Sequence, residues 1–220
     1  MIKRIIRGIL PYGLVRVIQN SNQKNFETQV YATQKIKIEA LLASGNPLYL
    51  ELGARDKKGS GNWVTMDLNP NCDIPCNLLE RLSFPNDSVS KIYSSHFLEH
   101  FGTKHIQTIL SECYRVLKPG GWISACVPDG SVYVNAYTNK STMDPSVWLR
   151  YKPAAIILSE IDYVNYMAYL GDEHKHLFDI DNLCALFRDA GFKEVKPRKM
   201  ISGLDMEVRD YQSIYAEGIK

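Results

Sequence analysis

Residues 49–70, with the sequence YLELGARDKKGSGNWVTMDLNP, contain two short apolar runs separated by one loop. The first run ends at Gly53, and the second, at residues 63–66, ends at Asp67. Each run has the length and composition of a buried strand. Because ligands of open parallel sheets bind beyond the carboxyl ends of the strands, Gly53 and Asp67 are predicted to lie at a ligand-binding edge.

The residue types at these two strand ends indicate a nucleoside ligand. Glycine lets the backbone approach a ligand closely or adopt a positive φ. A carboxylate one strand away accepts hydrogen bonds from the two hydroxyls of a ribose. The chain lacks a G-x-G-x-x-G turn with an acid about 20 residues further on, and it lacks a P-loop, so pyrophosphate binding is not expected. S-adenosylmethionine fits these requirements.

Strand-like and helix-like segments alternate along the rest of the chain, which predicts an α/β fold with helices on both faces of a parallel sheet. Further strands are predicted at residues 73–77, 91–95, 122–127, 192–199 and 211–216. Helices are predicted at residues 23–44, 104–117 and 181–190. The Tyr-rich stretch 131–170 breaks the alternation and is predicted to be a helical insertion that forms a lid and acceptor pocket.

Length and composition favour one soluble globular domain. The chain has 220 residues, of which 45% are hydrophobic, and a net charge of +2, too small to favour nucleic acid as a partner. We expect N-terminal helices over residues 1–44 and the main α/β domain over residues 45–220. Five scattered cysteines are typical of free thiols in a reducing compartment. This predicts a cytoplasmic location.

Residues 2–18 have apolar side chains at helical spacing and basic side chains off that face. This pattern predicts a short amphipathic helix. It could pack on its own domain or across a dimer, which we favour, or lie on a membrane surface. No apolar run approaches the ~20 residues of a membrane span.

With these elements in order, the sequence resembles the class I S-adenosylmethionine-dependent methyltransferases, in the subgroup with a short first loop. The resemblance covers residues 48–101, 115–121 and 173–192, and it rests on the order and spacing of these segments. It implies a Rossmann-like, mostly parallel seven-stranded sheet and S-adenosylmethionine as the cofactor. Members of this subgroup are often linked to the biosynthesis of bacterial surface polysaccharides.

The resemblance also implies roles for residues of the first two strands. Glu51, Gly53 and Ala54 would face the methionine and ribose parts of the cofactor. Asp67 would hold the ribose hydroxyls, and Leu68 would cover one face of the adenine.

Further cofactor contacts are implied after the third and fourth strands. Asn77 would bond the adenine edge with Leu78 beside it, and Ser95 and His96 would pass near the sulfonium. The chain departs from the family at Arg55, where a second glycine is usual.

Methyl transfer to an alcohol requires a base, and histidine suits that role near neutral pH. His176 and His174 are our first candidates and His96 the third; Asp129 is a further candidate for base or acceptor binding. No metal site is predicted, because the spacing of the sequence fixes no companion ligands for His174-x-His176.

The sequence therefore predicts an S-adenosylmethionine-dependent O-methyltransferase. The expected acceptor is a hydroxyl of a sugar or glycan-linked group, and the basic N-terminus would suit the inner membrane surface. Two alternatives stay open: a methyltransferase of a small non-sugar metabolite, and a non-catalytic protein that binds the cofactor or a partner. The absence of a G-x-G-x-x-G turn disfavours a nucleotide-dependent oxidoreductase.

Overall fold

The computed structural model describes residues 34–139 and 158–220. Within them the backbone forms one seven-stranded sheet. Its strands are β1 (Tyr49–Leu52), β2 (Trp63–Asp67), β3 (Ile74–Pro75), β4 (Val89–Ser95), β5 (Leu117–Pro128), β6 (Lys193–Pro197) and β7 (Ser213–Ile219).

The strand order across the sheet is β3-β2-β1-β4-β5-β7-β6. Neighbouring strands from β3 to β5 are parallel, whereas β7 runs antiparallel to both β5 and β6. The predicted α/β fold with a mostly parallel seven-stranded sheet is confirmed. The order reverses between β1 and β4, and the crevice at such a switch point is where α/β proteins bind ligands.

Five helical segments accompany the sheet. They are α1 (residues 34–43), α2 (Thr103–Val116), α3 (Gly130–Asn139), α4 (Ile161–Tyr169) and α5 (Ile180–Asp189). Apolar side chains at helical spacing form the buried face of α2, and Asp179 caps α5 by accepting a hydrogen bond from the Asn182 amide.

The central strands are buried on both faces, as expected for a parallel sheet. Leu50 in β1, Ile92 in β4 and Val127 in β5 are almost completely inaccessible to solvent. Because side chains on both faces are apolar, polar groups concentrate at the strand ends.

The last strand begins later than the sequence predicted. Residues 211 and 212 belong to a 3-10 turn, Glu207–Gln212, and β7 starts at Ser213, opposite Pro128. The Asp129 amide donates to the carbonyl of Gln212, which holds the turn beside the end of β5. This difference matters because the turn forms part of the cleft described below.

Several predicted segments lie partly or wholly outside the described residues. The amphipathic segment 2–18 is one, and residues 140–157 of the predicted insertion are another. Of that insertion the structure describes α3 and α4, which pack against each other. Among the described helices none is long and apolar enough to cross a membrane.

Candidate functional site

A cleft of about 890 Å³ lies beyond the carboxyl ends of β1, β2, β4 and β5. Gly53, Asp67, His96 and Pro128 end or follow these strands and line it. Helix α4 and the turn before β7 supply further wall residues. Clefts of roughly 300–1,000 Å³ hold small-molecule ligands and cofactors.

The loop after β1 folds back onto the end of β2. Gly53 has φ of +71°, and its amide donates to the carbonyl of Met66 at 2.9 Å. Arg55 also has a positive φ, +56°, and its amide donates to Oδ2 of Asp67 at 2.9 Å. Arg55 thus adopts the left-handed conformation that favours the glycine usual at this position.

The Asp67 carboxylate organises both flanking loops. Its Oδ1 accepts from the Asn69 amide at 2.9 Å, while Oδ2 accepts from Arg55. An ionised carboxylate has about four acceptor sites, so these two bonds leave each oxygen able to accept another donor. Asp67 can therefore hold the loops and bind two ligand hydroxyls together.

Glu51, which lines the cleft, forms an ion pair with Lys57. The Lys57 ammonium lies 2.7 and 2.8 Å from the two carboxylate oxygens, and the Lys57 side chain is 57% exposed. Exposed ion pairs of this kind contribute only about 0–1 kcal/mol. An ammonium group of a ligand could therefore replace Lys57 at little cost.

The backbone is strained where β4 enters the cleft. His96, the first residue after β4, has φ of +49°, and its amide donates to the carbonyl of Cys126. The next residue, Phe97, packs against Gly53 so closely that a Cβ on Gly53 would lie 2.2 Å from its ring. Such strain is typical of functional sites.

His96 lies between a serine and a buried carboxylate. Its Nε2 is 3.1 Å from Oγ of Ser213, and that hydroxyl donates to the carbonyl of Arg209. Since the only serine proton is used there, His96 Nε2 donates to Ser213. This leaves Nδ1 facing Oε1 of Glu99 at 3.5 Å.

Two more histidines complete this end of the cleft. His174 is buried, its Nδ1 lies 2.7 Å from the carbonyl of Met167, and burial lowers its pKa. His100 places Nδ1 3.1 Å from the carbonyl of Glu173. The two rings meet edge to face with their centroids 5.1 Å apart.

A buried ion pair supports the cleft below Tyr93. Arg198 donates to both carboxylate oxygens of Asp205 at 2.6 and 2.9 Å, and Tyr93 donates its hydroxyl proton to the same carboxylate at 2.7 Å. Neither Arg198 nor Asp205 is appreciably exposed. The pair fixes the ring of Tyr93, which lines the cleft.

Residues 50–125 match the family model described as a methyltransferase domain. The matched segment carries nearly all of β1, the whole of β2, β3 and β4, most of β5, and the cleft residues at the ends of β1, β2 and β4. Within these residues the chain carries a methyltransferase domain. A search of curated proteins finds no match.

Several solved structures are similar to this chain. An S-adenosylmethionine-dependent methyltransferase from Archaeoglobus fulgidus is 16% identical, with 90% of this chain and 99% of that chain covered and a TM-score of 0.48. One from Mesorhizobium loti is 14% identical, with coverages of 81% and 95% and a TM-score of 0.48. The phosphoethanolamine N-methyltransferase 2 of Haemonchus contortus is 13% identical, with coverages of 84% and 52% and a TM-score of 0.48.

The cleft fits S-adenosylmethionine, the cofactor that the sequence predicts. Asp67 keeps free acceptor sites for ribose hydroxyls, and Glu51 has an exchangeable partner for the methionine ammonium. Because Gly53 has no side chain, its backbone lines the cleft directly. When bound, the cofactor supplies an electrophilic methyl group on a sulfonium.

The structure brings most of the predicted site residues to one cleft. Those that line it are Glu51, Gly53, Ala54, Asp67, Ser95, His96 and His174. Those that do not line it are Leu68, Asn77, Leu78, Asp129 and His176.

Three of the predicted adenine contacts lie elsewhere. Leu68 is 75% exposed, whereas Leu78 is buried in the hydrophobic core. Asn77 stabilises a local turn, where Oδ1 accepts from the Leu79 amide and Nδ2 donates to Glu80. The structure therefore assigns Leu78 to packing and Asn77 to a turn.

Two predicted catalytic residues have structural partners. His176 bonds Oδ1 of Asn182 through Nε2 at 2.8 Å and packs on Phe178. Asp129 accepts hydrogen bonds from the amide and hydroxyl of Ser131, and these bonds cap the start of α3. The structure thus leaves His96 as the candidate base in the cleft, with His174 next to it.

Sequence reasoning missed the acidic member of this site. The sequence does not single out Glu99, which lies buried between His96 and His174 in the cleft wall. Arg209, Tyr211 and Gln212 in the turn before β7 were also missed. No local pattern marks these residues, because only the fold brings them to the ends of β4 and β5.

Proposed function

We propose that this enzyme transfers the methyl group of S-adenosylmethionine to a hydroxyl of a sugar or glycan-linked acceptor. The observation that carries the proposal is the pairing of His96 with the buried carboxylate of Glu99 inside the cleft. A hydroxyl must lose its proton as it attacks, so its methylation needs a base.

The hydrogen bonds of His96 make Nδ1 its basic atom. Nε2 already holds a proton that it donates to Ser213. A proton taken from an acceptor hydroxyl would therefore go to Nδ1, where the Glu99 carboxylate, 3.5 Å away, stabilises the resulting imidazolium. Transfer itself is an in-line displacement that depends mainly on alignment of the hydroxyl, methyl and sulfur.

The remaining cleft wall supports a sugar as the acceptor. Tyr166 of α4 and Tyr211 of the turn before β7 offer aromatic surfaces on which a sugar ring can stack. Arg209 and Gln212 add hydrogen-bonding groups for ring hydroxyls. On this proposal, the insertion 131–170 is the acceptor-binding part of a catalytic domain spanning residues 45–220.

A screen with S-adenosylmethionine labelled in its methyl group tests the acceptor. The acceptors are monosaccharides, nucleoside diphosphate sugars, catechols and primary amines. We expect label on a saccharide hydroxyl, located by mass spectrometry of the product. Label on amines or catechols alone, or no label on any saccharide despite tight cofactor binding, would reject the sugar assignment.

Asp67→Ala is expected to weaken the binding of S-adenosylhomocysteine by about 100-fold. The reason is the loss of charged hydrogen bonds to the ribose, worth roughly 1.5–3 kcal/mol each. Titration calorimetry measures the affinity. Asp73→Ala is the matched control: its carboxylate also accepts bonds from backbone amides but lies outside the cleft, so affinity should change less than about threefold. Equal affinity in the wild type and Asp67→Ala contradicts the assignment.

His96→Asn is expected to lower turnover by about 100-fold or more and to leave the affinity for S-adenosylhomocysteine within about threefold. Asparagine is chosen because it tolerates the positive φ of this position. His105→Ala, on the exposed face of α2, is the control and should retain full turnover. Unchanged turnover in His96→Asn would remove this histidine as the base.

The proposal extends to where the enzyme works. A cytoplasmic enzyme of surface polysaccharide biosynthesis would meet its acceptor at the inner membrane face. The basic amphipathic pattern of residues 2–18, which the structure does not describe, supports either contact with that surface or contact with a second copy.

A further inference from the structure

We infer that Glu99, His100 and His174 form a binding site for a divalent transition-metal cation such as Zn²⁺ or Fe²⁺. Each side chain offers one ligand atom, and these three atoms lie within 4.8 Å of one another. A tetrahedral ion holds neighbouring ligand atoms roughly 3.4 Å apart, so modest side-chain rotations would complete the site. This inference goes beyond the proposed function and does not depend on the acceptor.

Both histidines are already held in the tautomer that a metal ligand needs. Nδ1 of His174 donates to the carbonyl of Met167, and Nδ1 of His100 donates to the carbonyl of Glu173. The lone pair of each neutral ring is then on Nε2. Hydrogen bonds from the second ring nitrogen to a backbone carbonyl are the usual support of metal-binding histidines.

Glu99 provides an independent indication of a missing partner. The residue is only 2% exposed, and its Oε2 has no hydrogen-bond partner within the described part of the chain. Its Oε1 faces His96, which leaves Oε2 for another ligand. Since a buried carboxylate oxygen without a partner is unfavourable, a cation at this point would satisfy it.

The backbone holds Glu99 and the segment of His174 together. The amides of Lys175 and His176 both donate to the carbonyl of Glu99, at 2.8 and 3.2 Å. Glu99 and His100 lie in the 3-10 turn Leu98–His100. The turn and the returning segment thus carry all three ligands on hydrogen-bonded backbone.

The ligand set selects the class of metal. Two imidazoles with one carboxylate occur in catalytic zinc sites and in non-haem iron sites, whereas Mg²⁺ and Ca²⁺ prefer oxygen ligands. Three protein ligands leave a coordination position open. All three residues line the cleft, so an acceptor oxygen could occupy that position.

The sequence predicted no metal site because His174-x-His176 offered no companion ligands. The fold separates that pair: His176 bonds Asn182 outside the cleft, and His174 joins residues more than seventy positions earlier in the chain.

Metal binding is tested on the full chain without cofactor or acceptor. The protein is stripped with a chelator, then titrated with Zn²⁺ by calorimetry and with Co²⁺ by visible absorption. We expect one ion per chain and at least a tenfold loss of affinity in each of Glu99→Gln, His100→Gln and His174→Gln. His105→Ala removes an exposed histidine of the following helix α2 and should bind as the wild type does.

Thermal unfolding of each variant shows whether it is folded. If His174→Gln does not fold, the half-buried His100→Gln decides the result. No binding to the wild type, unchanged affinity in His100→Gln and Glu99→Gln, or thiolate charge-transfer absorption of bound Co²⁺ would each overturn the inference. Because no methyl transfer is measured, such a failure would leave the proposed function standing.

Discussion

Asp205→Asn is expected to lower the free energy of unfolding by about 3–5 kcal/mol. The substitution keeps the shape of the side chain but removes the charge that faces Arg198, whose side chain is only 5% exposed. Arg198 would then be a buried charge without compensation, and Tyr93 would lose its anionic acceptor. Denaturant unfolding measures the change.

Asp87→Asn is the matched control for this prediction. Asp87 makes the same kind of ion pair, with Lys220 at 2.7 Å, but its side chain is 52% exposed. Exposed ion pairs contribute about 0–1 kcal/mol, so the control should be nearly neutral. Similar losses in Asp87→Asn and Asp205→Asn would mean that burial of the Arg198 pair is not what stabilises the site.

The contribution of Asp205 to the free energy of unfolding should also depend on pH. Burial acts to raise the pKa of Asp205, but the hydrogen bonds and charge of Arg198 outweigh it and lower the pKa below its usual range. The stabilisation is therefore present in full above the unfolded-state pKa of about 4 and is lost as the pH falls further, through the folded-state pKa. The difference between wild type and Asp205→Asn should shrink below about pH 4.

Gly53→Ala is expected to destabilise the protein by about 2–5 kcal/mol and to abolish tight cofactor binding. A left-handed φ costs an L-residue about 1–2 kcal/mol. The added Cβ would also lie 2.2–2.7 Å from atoms of Phe97, and overpacking of this kind costs about 1–3 kcal/mol more. Displacing Phe97 would shift the neighbouring His96 as well.

Gly45→Ala separates the two contributions. Gly45 has the same φ of +71°, but a Cβ there would meet no atom within 4 Å. Gly45→Ala should lower the free energy of unfolding only by the conformational part, about 1–2 kcal/mol. The affinity for S-adenosylhomocysteine should be unchanged. Equal losses of unfolding free energy in the two variants would show that Phe97 moves aside without an energetic cost and that its contact with Gly53 does not shape the site.

The sequence predicted the fold because its signals are local. Apolar runs such as residues 49–52 and 63–67 are too short for helices, and the chain alternates them with amphipathic helical segments. Strand ends were less predictable. The start of β7 shifted from 211 to Ser213 because its pairing with Pro128 of β5, a non-local contact, sets where the strand begins.

The cofactor side of the site could be predicted for the same reason. Gly53 directly follows β1, and Asp67 ends β2. The carboxyl ends of parallel strands lie at one edge of the sheet for any conformation of the loops, so both residues line the cleft. Asn77 and Leu78 are different. They follow the two-residue strand β3, where the chain places Asn77 in a turn and Leu78 in the core.

The sequence by itself therefore predicted the α/β sheet, a nucleoside-type cofactor and the strand ends that line the cleft. Only the tertiary structure decided which histidines line the cleft, that Glu99 is buried beside His96, and that Arg198 and Asp205 support Tyr93. Strand ends follow from hydrophobic patterns within a few residues. The positions of His96, Glu99 and His174 depend instead on hydrogen bonds between segments far apart in the chain, which no local pattern records.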